Sequence, residues 1–264
     1  MLPLFNRKKP EEPAPATYSR DEAEPVVAAL RGRLAAKPDD AATYRALGNV
    51  HCHIQDYRQA IGYYRKALDL APHDPELHCY VGFAFQQLRH YPQALAAYQK
   101  ALALRPSASL YDVLGDLCYL LGQHQQALVY YQAGIKLQPE GMHAHFNMAQ
   151  ILLSAGRSRE AIAHLETVLE RHPRAAQAHS DLGVALSLEG EHDRALSHLR
   201  KALKLDGQNA VFHHNLGVVL ARQGKGKEAR AALEKALKLD PQSPQTRRVI
   251  AGLTQRRAPT TKLT

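Results

Sequence analysis

Five glycines stand at one register along this chain of 264 residues: Gly48, Gly82, Gly115, Gly183 and Gly217. Their spacings are 34, 33, 68 and 34 residues, and Ala149 fills the beat that the double spacing skips. Such a period marks a repeated supersecondary unit, each copy too small to bury its apolar face alone and therefore stacked on its neighbours. Glycine inside a helix costs about 0.5–1 kcal/mol against alanine. Accepting that cost at one register five times implies a close approach of paired helices, where a side chain would overpack the contact at a cost of about 1–3 kcal/mol.

The rest of each unit follows the same clock. Leu47, Val81, Leu114, Met148, Leu182 and Leu216 precede the small residue. Twelve positions after it stands an alanine, at 60, 94, 127, 161, 195 and 229, and four further on a large residue: Tyr64, Tyr98, Tyr131, Leu165, Leu199 or Leu233. Proline closes the unit at Pro72, Pro106, Pro139, Pro173 and Pro241, with Gly207 in the remaining slot. This skeleton resembles the tetratricopeptide repeat, whose unit reads W-x2-L-G-x2-Y, A-x3-F and P over about 34 residues. The resemblance runs from Ala41 to about Ser243; the tryptophan slot departs from it and holds Tyr44, His78, Tyr111, His145, His179 and His213.

The resemblance implies an all-α fold, an α-solenoid (right-handed superhelix) of six helix-turn-helix units, with a C-terminal capping helix. The expected boundaries are 41–74, 75–107, 108–141, 142–175, 176–209 and 210–243. Amphipathic spacing supports helices independently: Ala60, Ile61, Tyr64, Ala67 and Leu68 share one face, as do Ala195, Leu196, Leu199, Ala202 and Leu203. Gly122, Gly156, Gly190 and Gly224 fall where first helices should stop, supplying the left-handed conformation of a helix terminus. Gln55 and Arg89 stand there in the first two units, so a differently built turn is expected in those. Val26, Val27, Leu30 and Leu34 predict a half-repeat helix over 21–38, and Val249, Ile250 and Leu253 a capping helix over 244–257 followed by a tail, 258–264. Residues 1–20, rich in Pro, Glu and Lys, read as disordered because they bury too little to offset their ordering entropy.

Composition removes several classes of function. No apolar run reaches the length of a membrane span, and MLPLFNRKKP, whose apolar stretch is short and is followed by its charges, is not expected to act as a secretory leader. Cys52, Cys79 and Cys118 are odd in number and lack metal-knuckle spacing. A cytoplasmic protein in a reducing compartment is the expectation. The net charge of +9 collects at one end: residues after Ser243 contribute +5 and the sixth unit +3. Arg247 and Arg256 lie on opposite helix faces with no aromatic platform beside them, so binding of nucleic acid or anionic membrane by this end is not expected.

Motifs for chemistry are missing. His51-Cys52-His53 and His78-Cys79 are the densest soft-ligand clusters, yet successive side chains on a helix diverge and no zinc spacing occurs. Packing accounts for the histidines of the tryptophan slot. Gly224-Lys225-Gly226-Lys227 is a fragment of a phosphate loop without its strand or its Ser/Thr, and reads as a turn. No catalytic residue, metal or cofactor is expected.

Function is instead expected on the first helices, which line the groove in tetratricopeptide proteins. Carried over unit by unit, the groove positions are Arg45 and Asn49; Tyr80, Phe83 and Gln87; Asp112, Asp116 and Tyr119; Phe146, Asn147 and Gln150; Asp181 beside Ser180; and His214, Asn215 and Arg222. Asn147 and Asn215 lie in the segments HFNMA and HHNLG, and similar asparagines in the family bind the backbone of an extended peptide, an amide being both donor and acceptor. Asp181 interrupts this ladder. Arg45 and Asn49 resemble half of the carboxylate clamp of chaperone-binding members, but Ser109 and Val113 stand where the other half belongs, which argues against a chaperone tail as ligand. The leading expectation is a non-catalytic scaffold binding a peptide or helix of another protein. Self-assembly into oligomers, and service as an accessory subunit in glycosylation, secretion or membrane assembly, are the alternatives.

Overall fold

The computed structural model describes residues 19–255, which form fourteen α-helices and no strand. Most of the segment expected to be disordered, the last residues of the expected cap and the tail lie outside the described residues. First helices are α2 (Ala41–His53), α4 (Pro75–Gln87), α6 (Ala108–Leu120), α8 (Met142–Ser154), α10 (Ala176–Leu188) and α12 (Ala210–Arg222). Second helices are α3 (Tyr57–Leu70), α5 (Tyr91–Leu104), α7 (His124–Leu137), α9 (Ser158–Arg171), α11 (His192–Leu205) and α13 (Gly226–Leu239). One helix precedes them, α1 (Arg20–Ala36), and one follows, α14 (Pro244–Gln255). The chain divides within α7, at Tyr130–Tyr131, into two compact units.

The repeated glycine does what its register implies. A Cβ on Gly48 would stand 2.3 Å from the Tyr64 ring, and one on Gly82 2.9 Å from Tyr98. On Gly183 and Gly217 it would meet Leu199 at 2.7 Å and Leu233 at 2.5 Å. Each is the large residue of the same repeat's second helix, so the small residue and the large one are a matched notch and knob. Alanines at the start of the second helix close the seam: Ala60, Ala94, Ala161, Ala195 and Ala229 are fully buried.

Unit 1 opens with a capping box, Ser19 bonding the Glu22 amide and the Glu22 carboxylate returning to Ser19 N–H. Its α1 buries Ala23, Val27 and Leu30 against Leu47 and Val50 of α2. Val26, expected on that face, is exposed, and Ala23 takes its place.

Turns after first helices share one construction, contrary to the expectation for the first two repeats. Gln55 and Arg89 adopt φ of +62° and +59°, close to the +74° to +85° of Gly122, Gly156, Gly190 and Gly224. The bonding is also the same: Asp56 N–H reaches His51 C=O at 2.8 Å, as Arg157 N–H reaches Leu152 C=O at 2.8 Å. The six-residue hydrogen bond fixes the turn whatever the residue, and Gln55 and Arg89 accept the left-handed strain.

Unit 2 ends on α14, whose Thr246 is buried while Val249, Ile250 and Leu253 are half-buried. Arg247 and Arg248 are exposed, as a cap requires of its outer face.

Candidate functional site on the first helices

In unit 2 the polar residues of successive first helices form a chain of links. Gln150 on α8 donates its amide to Asp181 on α10 at 2.5 Å, and Gln177 donates to the other carboxylate oxygen at 2.9 Å. Asn215 on α12 donates to Ser180 on α10 at 3.0 Å. His214 Nδ1 meets Thr246 of α14 at 2.9 Å. Asn147 donates to the Tyr131 hydroxyl at 3.2 Å and lies 3.0 Å from His143 Nε2, one turn earlier on α8. Each junction therefore holds the first helices in register by a side chain that also belongs to the expected groove.

Asp181 differs from the asparagines it replaces. It is only 8% exposed, and burial pushes its carboxyl up to about 7 against the two amide hydrogen bonds that hold it down. No cation pairs with it among the described residues. Gln177, which sequence reasoning missed, was visible as a partner four residues before Asp181 on one helix. Thr246 was not, because its bond to His214 crosses 32 positions of sequence.

In unit 1 the polar groups of the first helices are engaged by the second helices. Tyr64 donates its hydroxyl to Asn49 at 2.9 Å, and Tyr98 to Gln86 at 3.3 Å. Tyr80 stacks on Tyr64 with centroids 5.4 Å apart, and Arg45 stands 3.8 Å from Glu76 of the next first helix. Phe83 is 42% exposed and Gln87 is exposed, so α4 offers an open aromatic edge beside Tyr57. Asp112, Asp116 and Tyr119 are half-buried on α6, the last against His124; Phe146 is half-buried on α8, and Arg222 is exposed at the end of α12.

The histidines of the tryptophan slot have a specific task. Nε2 of His78, His145, His179 and His213 lies 2.9–3.1 Å from the carbonyl oxygen six residues earlier, at Pro72, Pro139, Pro173 and Gly207. A carbonyl only accepts, so Nε2 carries the proton, and each histidine latches a first helix to the turn before it. In α8 and α10 the free Nδ1 accepts from a second ring: His164 to His145 at 2.8 Å and His198 to His179 at 3.0 Å. Burial holds His164, His179 and His198 below the usual imidazole range, and neighbouring His179, Lys201 and Arg194 help bring His198 to about 4. Among the described residues no group of three metal-binding side chains converges, and no helix is long and apolar enough to cross a membrane.

Family profiles for the tetratricopeptide repeat match residues 20–174, 146–210 and 186–253. No curated protein sequence matches the chain. Among solved structures, the fold is similar to that in a crystal structure of the APC/C hetero-tetramer Cut9-Hcn1, with a TM-score of 0.61 at 19% identity, over 88% of this chain and 46% of that one. The chain thus spans about half the length of that relative. It is also similar to PilF of Pseudomonas aeruginosa (TM-score 0.64, 20% identity, 80% and 97% covered) and to MamA (0.59, 24%, 64% and 92%).

Proposed function

Because the chain belongs to the tetratricopeptide repeat family, whose fold is generally a protein-interaction scaffold, we propose that it is a non-catalytic scaffold whose first helices bind a peptide or helical segment of a partner protein. One observation supports the peptide reading most. Asn147 and Asn215 sit in equivalent positions of two repeats, and intramolecular bonds to Tyr131 and Ser180 hold their amide groups in fixed orientations. An amide positioned in advance binds a peptide group with less ordering cost. Through Nδ2 Asn215 is tied to Ser180, leaving its carbonyl oxygen to accept a ligand N–H. Asp181 serves by anchoring Gln150 between them. In unit 1, Tyr80 and the exposed Phe83 supply the aromatic anchors that peptide sites commonly use.

The test is selection of a displayed library of linear peptides on the full-length chain, followed by titration against Asn147→Ala/Asn215→Ala. Two hydrogen bonds of about 1 kcal/mol each are at stake, so affinity should fall about 30-fold. Melting should fall by only a few degrees, since Tyr131 and Ser180 also lose partners. Peptides that bind the double variant as tightly as the parent would remove the first-helix assignment.

A further inference from the structure

The second-helix side of unit 1 lacks a ring that other repeats supply. The residue in the tryptophan slot of a first helix is followed nineteen positions later by a residue of the second helix. In three repeats two rings meet there: His145 with His164 and His179 with His198 at centroid distances of 5.0 and 5.2 Å, and Tyr111 with Tyr130 at 6.4 Å. In the second repeat the pair is His78 and Ala97. A groove of about 800 Å³ opens at this place, walled by α3 and α5 and floored by α4. His78, Val81 and Phe85 form its floor, while Ala96, Ala97 and Ala103 keep the α5 wall low.

The lining specifies an occupant. His78 gives its Nε2 proton to the Pro72 carbonyl at 3.0 Å, so its Nδ1 is an acceptor, as Nδ1 of His145 and His179 is toward the rings they meet. A ring entering beside Ala97 therefore needs an N–H or O–H to give. Phe85, on which His90 stacks with centroids 6.2 Å apart, adds an aromatic ring to the apolar floor. Above the apolar floor the rim is cationic. Arg65 of α3 lies over the Phe85 ring at 5.8 Å, Lys100 comes from α5, and Asp69 is the one carboxylate among the lining residues. Neither Arg65 nor Lys100 has an acidic ion-pair partner among the described residues. Acidic residues flanking the ring would complement that rim.

We propose that this groove, between α3 and α5 of unit 1, is a second binding site, for a tryptophan or tyrosine side chain carried in an acidic linear segment of a partner protein. The sixth repeat has the same His213 and Ala232 pairing, but Leu220 and Lys238 occupy the positions of Phe85 and Ala103, replacing the aromatic ring and enlarging the wall residue. The site is thus specific to the second repeat, and it stands independently of peptide binding on the first helices.

The chain contains no tryptophan, so the emission of a tryptophan peptide reports its own environment. The probe is the peptide Glu-Asp-Trp-Glu-Asp, titrated with the full-length chain. A saturable blue shift is expected, unchanged in Asn147→Ala/Asn215→Ala. Ala97→Tyr puts into the groove the ring that Tyr130 provides one repeat later, and should weaken binding about tenfold. Lys100→Glu should weaken it severalfold while leaving the helical circular dichroism intact. If Ala97→Tyr does not fold, Phe85→Leu, the residue of the sixth repeat, takes its place with the same expected loss. No blue shift with the parent chain, undiminished binding to a folded groove variant, equal competition by the peptide with Ala for Trp, or loss of binding in the asparagine double variant would each overturn the proposal.

Discussion

In unit 1 the second helices set Tyr64 and Tyr98 against the first-helix glycines, and each hydroxyl reaches past the notch to an amide, Asn49 or Gln86, of its own hairpin. In unit 2 Leu199 and Leu233 fill the same notch with no polar handle. There the first-helix polar groups bond instead to the next first helix, Gln150 to Asp181 and Asn215 to Ser180. Where the knob is leucine, Gln150 and Asn215 link to a neighbouring first helix, while the links within the fourth and fifth hairpins are histidine pairs, His145 with His164 and His179 with His198. Charge and titration follow the same division. Residues 19–130 hold eleven Lys/Arg and eleven Asp/Glu, whereas 131–255 hold seventeen and twelve. Unit 2 also carries the paired histidines and the buried Asp181, while unit 1 has His51 held low by burial.

The largest expected effect breaks the notch. Gly48→Ala drives a Cβ to 2.3 Å from a ring whose hydroxyl is tethered to Asn49, and Gly217→Ala drives one to 2.5 Å from Leu233 with the Ala229 carbonyl at 3.0 Å. Each should lose about 1–3 kcal/mol in urea unfolding despite the better helix propensity of alanine, with Gly48→Ala the worse because the ring has nowhere to rotate. Ala149→Gly, in a repeat that already accommodates a Cβ, should lose only about 1 kcal/mol. Equal tolerance at all three positions would mean that the notch does not set the hairpin spacing.

A smaller effect separates the units by pH. Asp181 titrates at about 7 when folded, so the folded chain keeps a proton that the unfolded chain releases, and stability from this group falls as pH rises from the ordinary carboxylate range to 7. His198, brought down to about 4, acts in the opposite sense: the unfolded chain takes up a proton that the folded chain refuses, so stability falls as pH drops from 6.5 toward 4. Asp181→Asn removes only the first slope. At pH 8 it should raise the melting temperature of unit 2 by a few degrees, a gain of about 1–2 kcal/mol from no longer burying an unpaired carboxylate. The gain should shrink as pH falls and vanish near pH 4, leaving steeper acid sensitivity than in the parent. A gain independent of pH would contradict the burial of a charge there.

The smallest effect is at the turns. Gln55→Gly and Arg89→Gly should each stabilise unit 1 by about 0.5–1 kcal/mol, since glycine adopts positive φ without strain. Gly190→Gln should cost unit 2 a similar amount. Urea midpoints of the three variants check this, and no gain in unit 1 would mean that Gln55 and Arg89 relieve their strain in other ways.

The fold was legible because notch, knob and proline recur at fixed spacing, and packing repeats with them. What escaped was set by single side chains off that beat. Val26 gave way to Ala23 because the face of α1 depends on how it meets α2. Gln55 and Arg89 hid a turn that backbone bonding imposes. At the candidate site, the positions of Asn147 and Asn215 were visible in sequence, but their orientation by Tyr131 and Ser180 was not. Asp181 looked like a groove residue and is instead nearly buried between two glutamines, an arrangement that needs Gln150 from the preceding first helix.

Peptide binding by the first helices is tested most directly by hydrogen–deuterium exchange of the full-length chain with and without a peptide selected from the library. Slowed exchange in α8, α10 and α12, with α9, α11 and α13 unchanged, is the expected result. Protection confined to the second helices, or spread evenly over both, would contradict it.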